Sequence, residues 1–358
     1  RGRRADGRRS RTAATRSSSA TSTCSRFRRD RAREPNQAAA SGVTVSRKTL
    51  LFVARGATSL GLFALLAYVL DPRDVLVRLS NLDVRWVVLA LVVSVGQVVG
   101  SAWRWRFTAA RLDLELPMPR AVSEYYLATF LNQVLPGGVM GDVSRAWRHA
   151  RAVDTRAAIQ SVAFERLSGL VVMSGVAAVS ALLLLGDVST GARVALLGLV
   201  VALIAWGVTS ARSARDRPEA SQLVRDLRRA LVDGAALPIQ LATSAAVVAS
   251  YFAVFVMGAR AVQIETAALL LVMLAGPVLM TMLGPVTIAG WGLREVAAAA
   301  LWSAAGLTAA DGVAVSVSYG LLVLVSSLPG ALVLGLTLLG REDPDRRGDP
   351  SPVGSDGP

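Results

Sequence analysis

The chain has 358 residues, 53% of them hydrophobic and only 18% charged, with a formal net charge of +14. Soluble domains carry about 25% charged residues, and the mean hydropathy here is +0.48 in spite of polar ends. Cys24 is the only cysteine, His149 the only histidine and Lys48 the only lysine. An intrachain disulfide, a thiolate cluster, a multi-histidine zinc site and a His–Cys catalytic pair therefore lack their raw material.

Residues 1–49 are rich in Arg, Ser, Thr and Ala, with only Asp6, Asp30 and Glu34 opposing the basic side chains. Such a stretch buries too little apolar surface to fold and reads as a disordered tail. Beside a membrane span it reads as an orientation signal touching anionic lipid rather than as a nucleic-acid binder. Leu50–Leu70 is apolar for long enough to cross a core of about 30 Å at 1.5 Å per residue. No small-residue cleavage pattern precedes Asp71, so it reads as a retained span, with Arg55 snorkelling.

Trp86–Trp103 is the second span, and Arg104-Trp105-Arg106 after it reads as an aromatic and cationic interface anchor, as does Trp147. Val122–Gly141 carries Glu124, Asn132 and Gln133 and breaks at Pro136-Gly137-Gly138, too short and too interrupted to span. A basic helix with Arg145, Arg148, Arg151 and Arg156 is expected next, with His149 as their solvated neighbour. Further spans are expected at Ala157–Leu185, Arg193–Thr209, Ala235–Gly258 and Gly312–Leu339, with a charged loop at 211–234. Thr266–Gly292 is apolar but interrupted at Gly276-Pro277, Gly284-Pro285 and Gly290, and a helix bearing Arg294 and Glu295 follows. From Arg341 the chain is polar and reads as a second disordered tail.

The basic segments 104–120, 142–156 and 211–234 share one side of the membrane if they follow the tail, while 186–192 contains no Lys or Arg. The expectation is a multi-pass protein of the cell membrane with a cytoplasmic N-terminus. Its domains are a tail (1–49), a membrane body (50–340) and a tail (341–358). The body is an all-α polytopic fold of about six to eight transmembrane helices.

Two segments share a pattern. Leu131 to Asp142 holds Pro136, Gly137 and Gly141, with Arg145 a turn later; Met280 to Gly292 holds Pro285 and Gly290, with Arg294-Glu295 following. Broken helices in corresponding positions of two halves point to a transporter site and are compatible with an inverted repeat. Backbone groups freed by Pro and Gly must be satisfied by protein or water at membrane depth, and N–H groups at a helix start favour an anion. Glu165-Arg166 is a second charged motif, with side chains about 100° apart on a helix. Asp142 and Arg145 are spaced to pair on one face. The alternative is that these charges form a static interface network.

In order and spacing, Asn132-x-x-Leu135-Pro136-Gly137-x-x-x-Gly141-Asp142-x-x-Arg145, Glu165-Arg166-x-x-Gly169 and Pro285-x-x-x-x-Gly290-x-Gly292-x-x-Glu295 resemble the lysylphosphatidylglycerol synthase transmembrane-region family. The pattern departs at Met140, where a small residue is common. The resemblance implies a flippase-like membrane module. It spans roughly residues 50–340, and the soluble aminoacyl-transferase domain of bifunctional relatives finds no counterpart, which argues against synthase activity.

The expected function is movement of a phospholipid or lipid-linked molecule between leaflets. The alternatives are a non-catalytic partner of a separately encoded synthase or glycosyltransferase, and an embedded transferase. The expected substrate-binding residues are Asn132, Pro136, Gly137, Gly141, Asp142, Arg145, Glu165, Arg166, Pro285, Gly290, Gly292 and Glu295. Arg145 and Arg166 would attract a phosphate, and Glu165 and Glu295 would face a cationic group or balance the arginines. No catalytic residue, metal, cofactor or nucleic acid is called for. The expected partners are anionic or aminoacylated phospholipids or lipid-linked sugars.

Overall fold

The computed structural model describes residues 47–69, 72–135, 138–151, 153–184, 222–283 and 287–339, with isolated positions at 189, 191, 194 and 198. The expected tails up to residue 46 and from 341, the expected span at 193–209 apart from positions 194 and 198, and Pro136, Gly137 and Pro285 lie outside the described residues.

The chain order is α1 (Arg47–Val69), α2 (Pro72–Ser80), α3 (Val84–Arg111), α4 (Met118–Val134), α5 (Met140–Ala150), α6 (Thr155–Leu184), α7 (Gln222–Leu231), α8 (Ala236–Ala261), α9 (Ala268–Met280), a 3₁₀ turn (Thr281–Leu283), α10 (Leu293–Ala304) and α11 (Ala309–Leu339). Four of these, α3, α6, α8 and α11, are long and apolar enough to cross a membrane. Their faces are arranged for lipid. On α3 the exposed side is Val84, Val88, Val92, Val95 and Val99, and the packed side is Ala90, Ser94, Ser101, Ala102 and Ala109. On α11 Leu321, Val325, Leu328, Leu332 and Leu336 face outward. Large apolar residues outside and small or polar residues at the contacts suit a hydrocarbon solvent, which gives apolar side chains no reason to hide.

The bundle is built from two repeats. Each runs long helix, shorter helix, break, short helix, long helix: α3–α4–α5–α6 and α8–α9–α10–α11. The turns after α3 and α8 match in detail. Asp113 and Gln263 both have φ of 60°, and Leu114 N–H to Ala109 O and Ile264 N–H to Ala259 O are both 3.0 Å. Packing is exchanged symmetrically. The pair α3 and α8 meets itself under the exchange, α4 packs on α11 as α9 packs on α6, and α5 on α6 as α10 on α11. Buried ring pairs correspond as well: Trp105–His149, with centroids 5.5 Å apart, and Phe255–Trp302, 6.2 Å apart.

The repeats are inverted. Asp83 N–H donates to Ala261 O at 2.9 Å, Ser250 contacts Gln97 at 3.2 Å, and Gln240 donates to Thr108 at 2.8 Å. The start of α3 thus meets the end of α8, so the two run antiparallel and the relating axis lies across them, as in inverted-topology transporters.

The basic segments gather at one end. Arg111 Nε donates to Arg229 O at 2.9 Å, Arg229 pairs with Asp113 at 2.6 Å, and Arg156 donates to Gln222 at 2.6 Å. The Arg229 hydrogen bonds hold the Asp113 carboxyl below its usual range. The opposite end is tied by Arg78–Asp311 at 2.6 Å, joining α2 to α11.

Two expected boundaries move. Gly276-Pro277 does not interrupt the helix. α9 continues through it to Met280, and the break comes at the following 3₁₀ turn. Arg156 belongs to α6 rather than to the basic helix, because Asp154 caps a new start, accepting from Ala157 N–H at 2.8 Å.

The two equivalent crossings each rest on a glycine. A Cβ at Gly276 would press on Ser180 and Ala177 of α6, and one at Gly330 would overlap the backbone of Tyr126 in α4, whereas Gly335 faces open space. Gly330→Val is expected to cost about 1–3 kcal/mol or more as overpacking. It should lower the melting temperature in detergent, while Gly335→Val leaves it unchanged.

Candidate functional site

The centre of the first repeat is a buried ion network around Glu165, which is wholly inaccessible. Arg104 from α3 donates through Nε at 3.1 Å and through Nη2 to the same Oε1, and Tyr125 from α4 adds its hydroxyl at 3.2 Å. Arg145 from α5 takes the other oxygen through Nη2 at 3.0 Å. Burying an ion costs several kcal/mol unless it is paired and hydrogen-bonded, and Glu165 meets both conditions by sharing two guanidiniums. Gly169, one turn on from Glu165 in α6, leaves the room that the Arg104 guanidinium fills.

Asp142 is the second hub. It accepts from Arg166 Nε at 2.9 Å and Nη2 at 2.6 Å, from Arg145 at 3.2 Å, and from Asn132 Nδ2 at 3.2 Å. Asn132 spans the break between α4 and α5, because its Oδ1 also accepts Gly141 N–H at 2.7 Å. It replaces part of the ladder that the Pro-Gly segment cannot supply. Gly141 is required by contact, since a Cβ there would overlap the Ala128 backbone. Arg145 lies 1% exposed between the Trp105 and Tyr125 rings, at 4.5 and 4.3 Å. Cations over ring faces gain electrostatically, most so when desolvated.

Asn132, Gly141, Asp142, Arg145, Glu165 and Arg166 are brought together in one network, though not all in the same role. Arg166 faces a cavity of about 690 Å³ together with Asp142 and Asn132. Arg145 and Glu165 lie behind them and off its surface. Glu165 balances the arginines and presents no free oxygen to a cationic group.

Gly290, Gly292 and Glu295 form a separate cluster in the second repeat. Glu295 accepts from Gly292 N–H at 2.6 Å as a helix cap and from Arg294 Nη2 at 2.8 Å, with Ser316 bridging the pair. Unlike Glu165 and Arg166, these chain neighbours pair with each other. Both are buried and off the cavity, so this cluster is neutral and sealed. Gly292, at φ of 88°, lets the backbone turn against α1, where a Cβ would strike Leu62. The two breaks meet: a Cβ at Gly138 would touch Met282 O, and Gly290 packs on Met282.

Three side chains were misread from sequence. Arg104 and Trp105 are no interface anchor: they are 3% and 0% exposed, while Trp103 and Trp147 are exposed as anchors should be. The missed signal is the spacing of Ser101, Thr108 and Ala109, which places Arg104 on the small-residue face of α3. His149 is 3% exposed rather than solvated, with neither ring nitrogen bonded.

This arrangement accompanies a match of residues 52–330 to the profile of the lysylphosphatidylglycerol synthase TM region. The chain belongs to this family. No curated protein matches the chain. Within the family's membrane region, here the bundle from α1 to the body of α11, both clusters and the whole cavity are contained.

The cavity straddles the axis between the repeats. Val98 and Val248, Ser101 and Tyr251, Thr129 and Leu279, and Asn132 and Met282 are equivalent positions that all line it. Its chemistry is lopsided. Every charged or amide side chain on its wall comes, among the described residues, from the first repeat, while the second gives Val247, Leu279, Met282 and Val323 with the Tyr251 and Tyr319 rings. Among the described residues, Arg104, Arg145 and Arg166 against Asp142 and Glu165 leave one positive charge over.

Glu165→Gln strips the shared counter-charge from two buried arginines and is expected to destabilise by about 3–5 kcal/mol. Arg166→Gln, whose side chain is 38% exposed, should cost clearly less; thermal unfolding in detergent compares them. Burial first, then Arg120 and Arg145, pushes the His149 pKa below its ordinary value. His149 stands in the last turn of α5 at the basic end, outside the spans. The unfolded chain then takes up a proton near pH 6.5 that the folded one resists, so stability falls as pH drops through that range. Because this is the only histidine, His149→Phe should flatten that part of a melting-temperature profile taken from about pH 7.5 to about pH 5.

Proposed function

We propose that this protein moves an amphiphilic lipid or lipid-linked molecule between the leaflets of the cell membrane, with its basic end and N-terminal tail in the cytoplasm. One observation carries the reading. The cavity on the axis of an inverted repeat has a charged, amide-bearing wall from one repeat and an aliphatic and aromatic wall from the other. An amphiphile matches both walls at once, and inverted repeats with broken helices hold their substrates at such an axis. The volume of about 690 Å³ falls within the range of ligand sites. The orientation is supported by the gathering of the 104–120, 142–156 and 222–234 segments at one end.

Arg166 is the guanidinium placed to meet the substrate: of the two arginines on the cavity wall, Arg104 is buried and committed to Glu165, while Arg166 is the more exposed, and Arg145 lies off the wall. In vesicles containing the purified protein and acyl-chain-labelled phospholipids, accessibility to an impermeant quencher should rise with time. Arg166→Gln should slow this about tenfold without lowering the folded fraction. Equal rates in protein-free vesicles and in vesicles with folded protein would remove the reading.

A further inference from the structure

His149 is a buried titratable group that the cavity does not use. It is 3% exposed in the last turn of α5, and among the described residues neither of its ring nitrogens has a hydrogen-bond partner. Its ring stands T-shaped against Trp105 of α3, with centroids 5.5 Å apart, and the Arg145 guanidinium lies 4.5 Å from the centre of the same Trp105 ring. Asp142, Arg145 and His149 follow one another at i, i+3 and i+7, so the face of α5 that enters the ion network ends in the imidazole. The charges that act on it are Arg120 of α4 and Arg145 of its own helix, both positive. α3 has no carboxylate. On α6, Glu165 is engaged by Arg104, Arg145 and Tyr125, and Asp154 caps the start of that helix. On α5, Asp142 is engaged by Arg166, Arg145 and Asn132. On α4, Glu124 accepts from Arg148 at 2.9 Å through one oxygen and keeps the other unbonded. An imidazolium in this position would stand as a third cation beside Arg120 and Arg145, desolvated and bonded to no carboxylate, which is the costly arrangement for a charge.

We infer that His149 is a proton-operated latch on the ion network: the neutral ring lets α5 lie against Trp105, and the protonated ring swings the end of α5 away from Trp105 into water, drawing Arg145 off Glu165. Arg145 also donates to Asp142, which holds Arg166 at the cavity, so the state of the latch reaches the cavity wall. Burial first, then Arg120 and Arg145, keep the proton off His149 until the pH is below the ordinary histidine value of about 6.5. The network is therefore locked at neutral pH and released as the basic end turns acidic. The latch acts on the network whether or not a lipid crosses.

The test follows two signals of the detergent-solubilised full chain from about pH 7.5 to about pH 5.5, a range in which histidine is the side chain that ordinarily titrates. The chain has one histidine, so the ring resonance of protein carrying isotope-labelled histidine reports His149 alone. It should take up its proton below about pH 6.5. Amide hydrogen exchange of α5, each rate divided by the intrinsic rate at the same pH, should rise about tenfold at about pH 5.5, one unit below the ordinary histidine value. The amides of α8 to α11 should hold their rates. His149→Phe should remove the rise, and so should His149→Gln, which carries an amide at every pH. A ring that titrates at or above about pH 6.5 overturns the latch. So does α5 exchange that ignores pH, that rises equally in both variants, or that rises equally in every helix. Flipping by the vesicle-reconstituted protein is followed over the same range. No flipping at any pH removes transport and leaves the latch standing on the exchange data. Flipping with α5 exchange that ignores pH does the reverse.

Discussion

Glu165 is the constraint from which the membrane body is organised. It is fully buried and balances two guanidiniums that come from different helices, Arg104 of α3 and Arg145 of α5. Neither arginine tolerates hydrocarbon unpaired, so α3, α5 and α6 must converge on one carboxylate. α4 is drawn in by Tyr125 and by the Asn132 bridge to α5. Apolar surface alone would not specify this packing, because lipid tails are as good a neighbour as leucine. The ions and the glycines at the crossings supply the specificity.

The break between α4 and α5 follows from the same economy. A helix interrupted at membrane depth exposes backbone groups that only protein can satisfy. Asn132 does this on one side, accepting Gly141 N–H, and orients Asp142 with its amide. Asp142 in turn holds Arg166 at the cavity. The break is thus what carries a carboxylate and a guanidinium to the middle of the bundle without a charged span.

Much of this was legible in the sequence. The Pro and Gly at matched distances in Asn132–Asp142 and Met280–Gly292 revealed two corresponding breaks, and the charges beside them marked the clusters. The inversion of the repeats was only compatible with the sequence, since it depends on which end of α3 meets which end of α8, a tertiary fact. Arg104 was hidden by its flanking tryptophans: an alternation of Trp and Arg at a span's end is what an interface anchor looks like, and only the small-residue face of α3 distinguishes the buried member. The division of labour between Glu165 and Arg166 was also out of reach. Their angular separation on α6 shows that they diverge, but which of them meets the cavity depends on where α5 lies.

The two repeats share a backbone plan and differ in charge, and the placement of the charges bears on how such a body can move. Every buried ion pair in the network joins members of the same repeat: Arg104, Asp142, Arg145, Glu165 and Arg166 in the first, Arg294 and Glu295 in the second. Across the boundary between repeats the polar contacts are weaker ones: Arg104 to Ser244 at 3.1 Å, Ser244 to Ser168, Gln240 to Thr108, Ser250 to Gln97 and Asp83 N–H to Ala261 O. The rest is close packing over Gly276 and Gly330. Breaking a buried ion pair costs about 3–5 kcal/mol, whereas a neutral hydrogen bond contributes about 1 kcal/mol. Rocking of one repeat against the other would therefore leave every buried ion pair intact and exchange only contacts of low cost. The charged wall would travel as a rigid body with its repeat, so a phosphate held at Arg166 would keep its partner while the apolar wall slid past it.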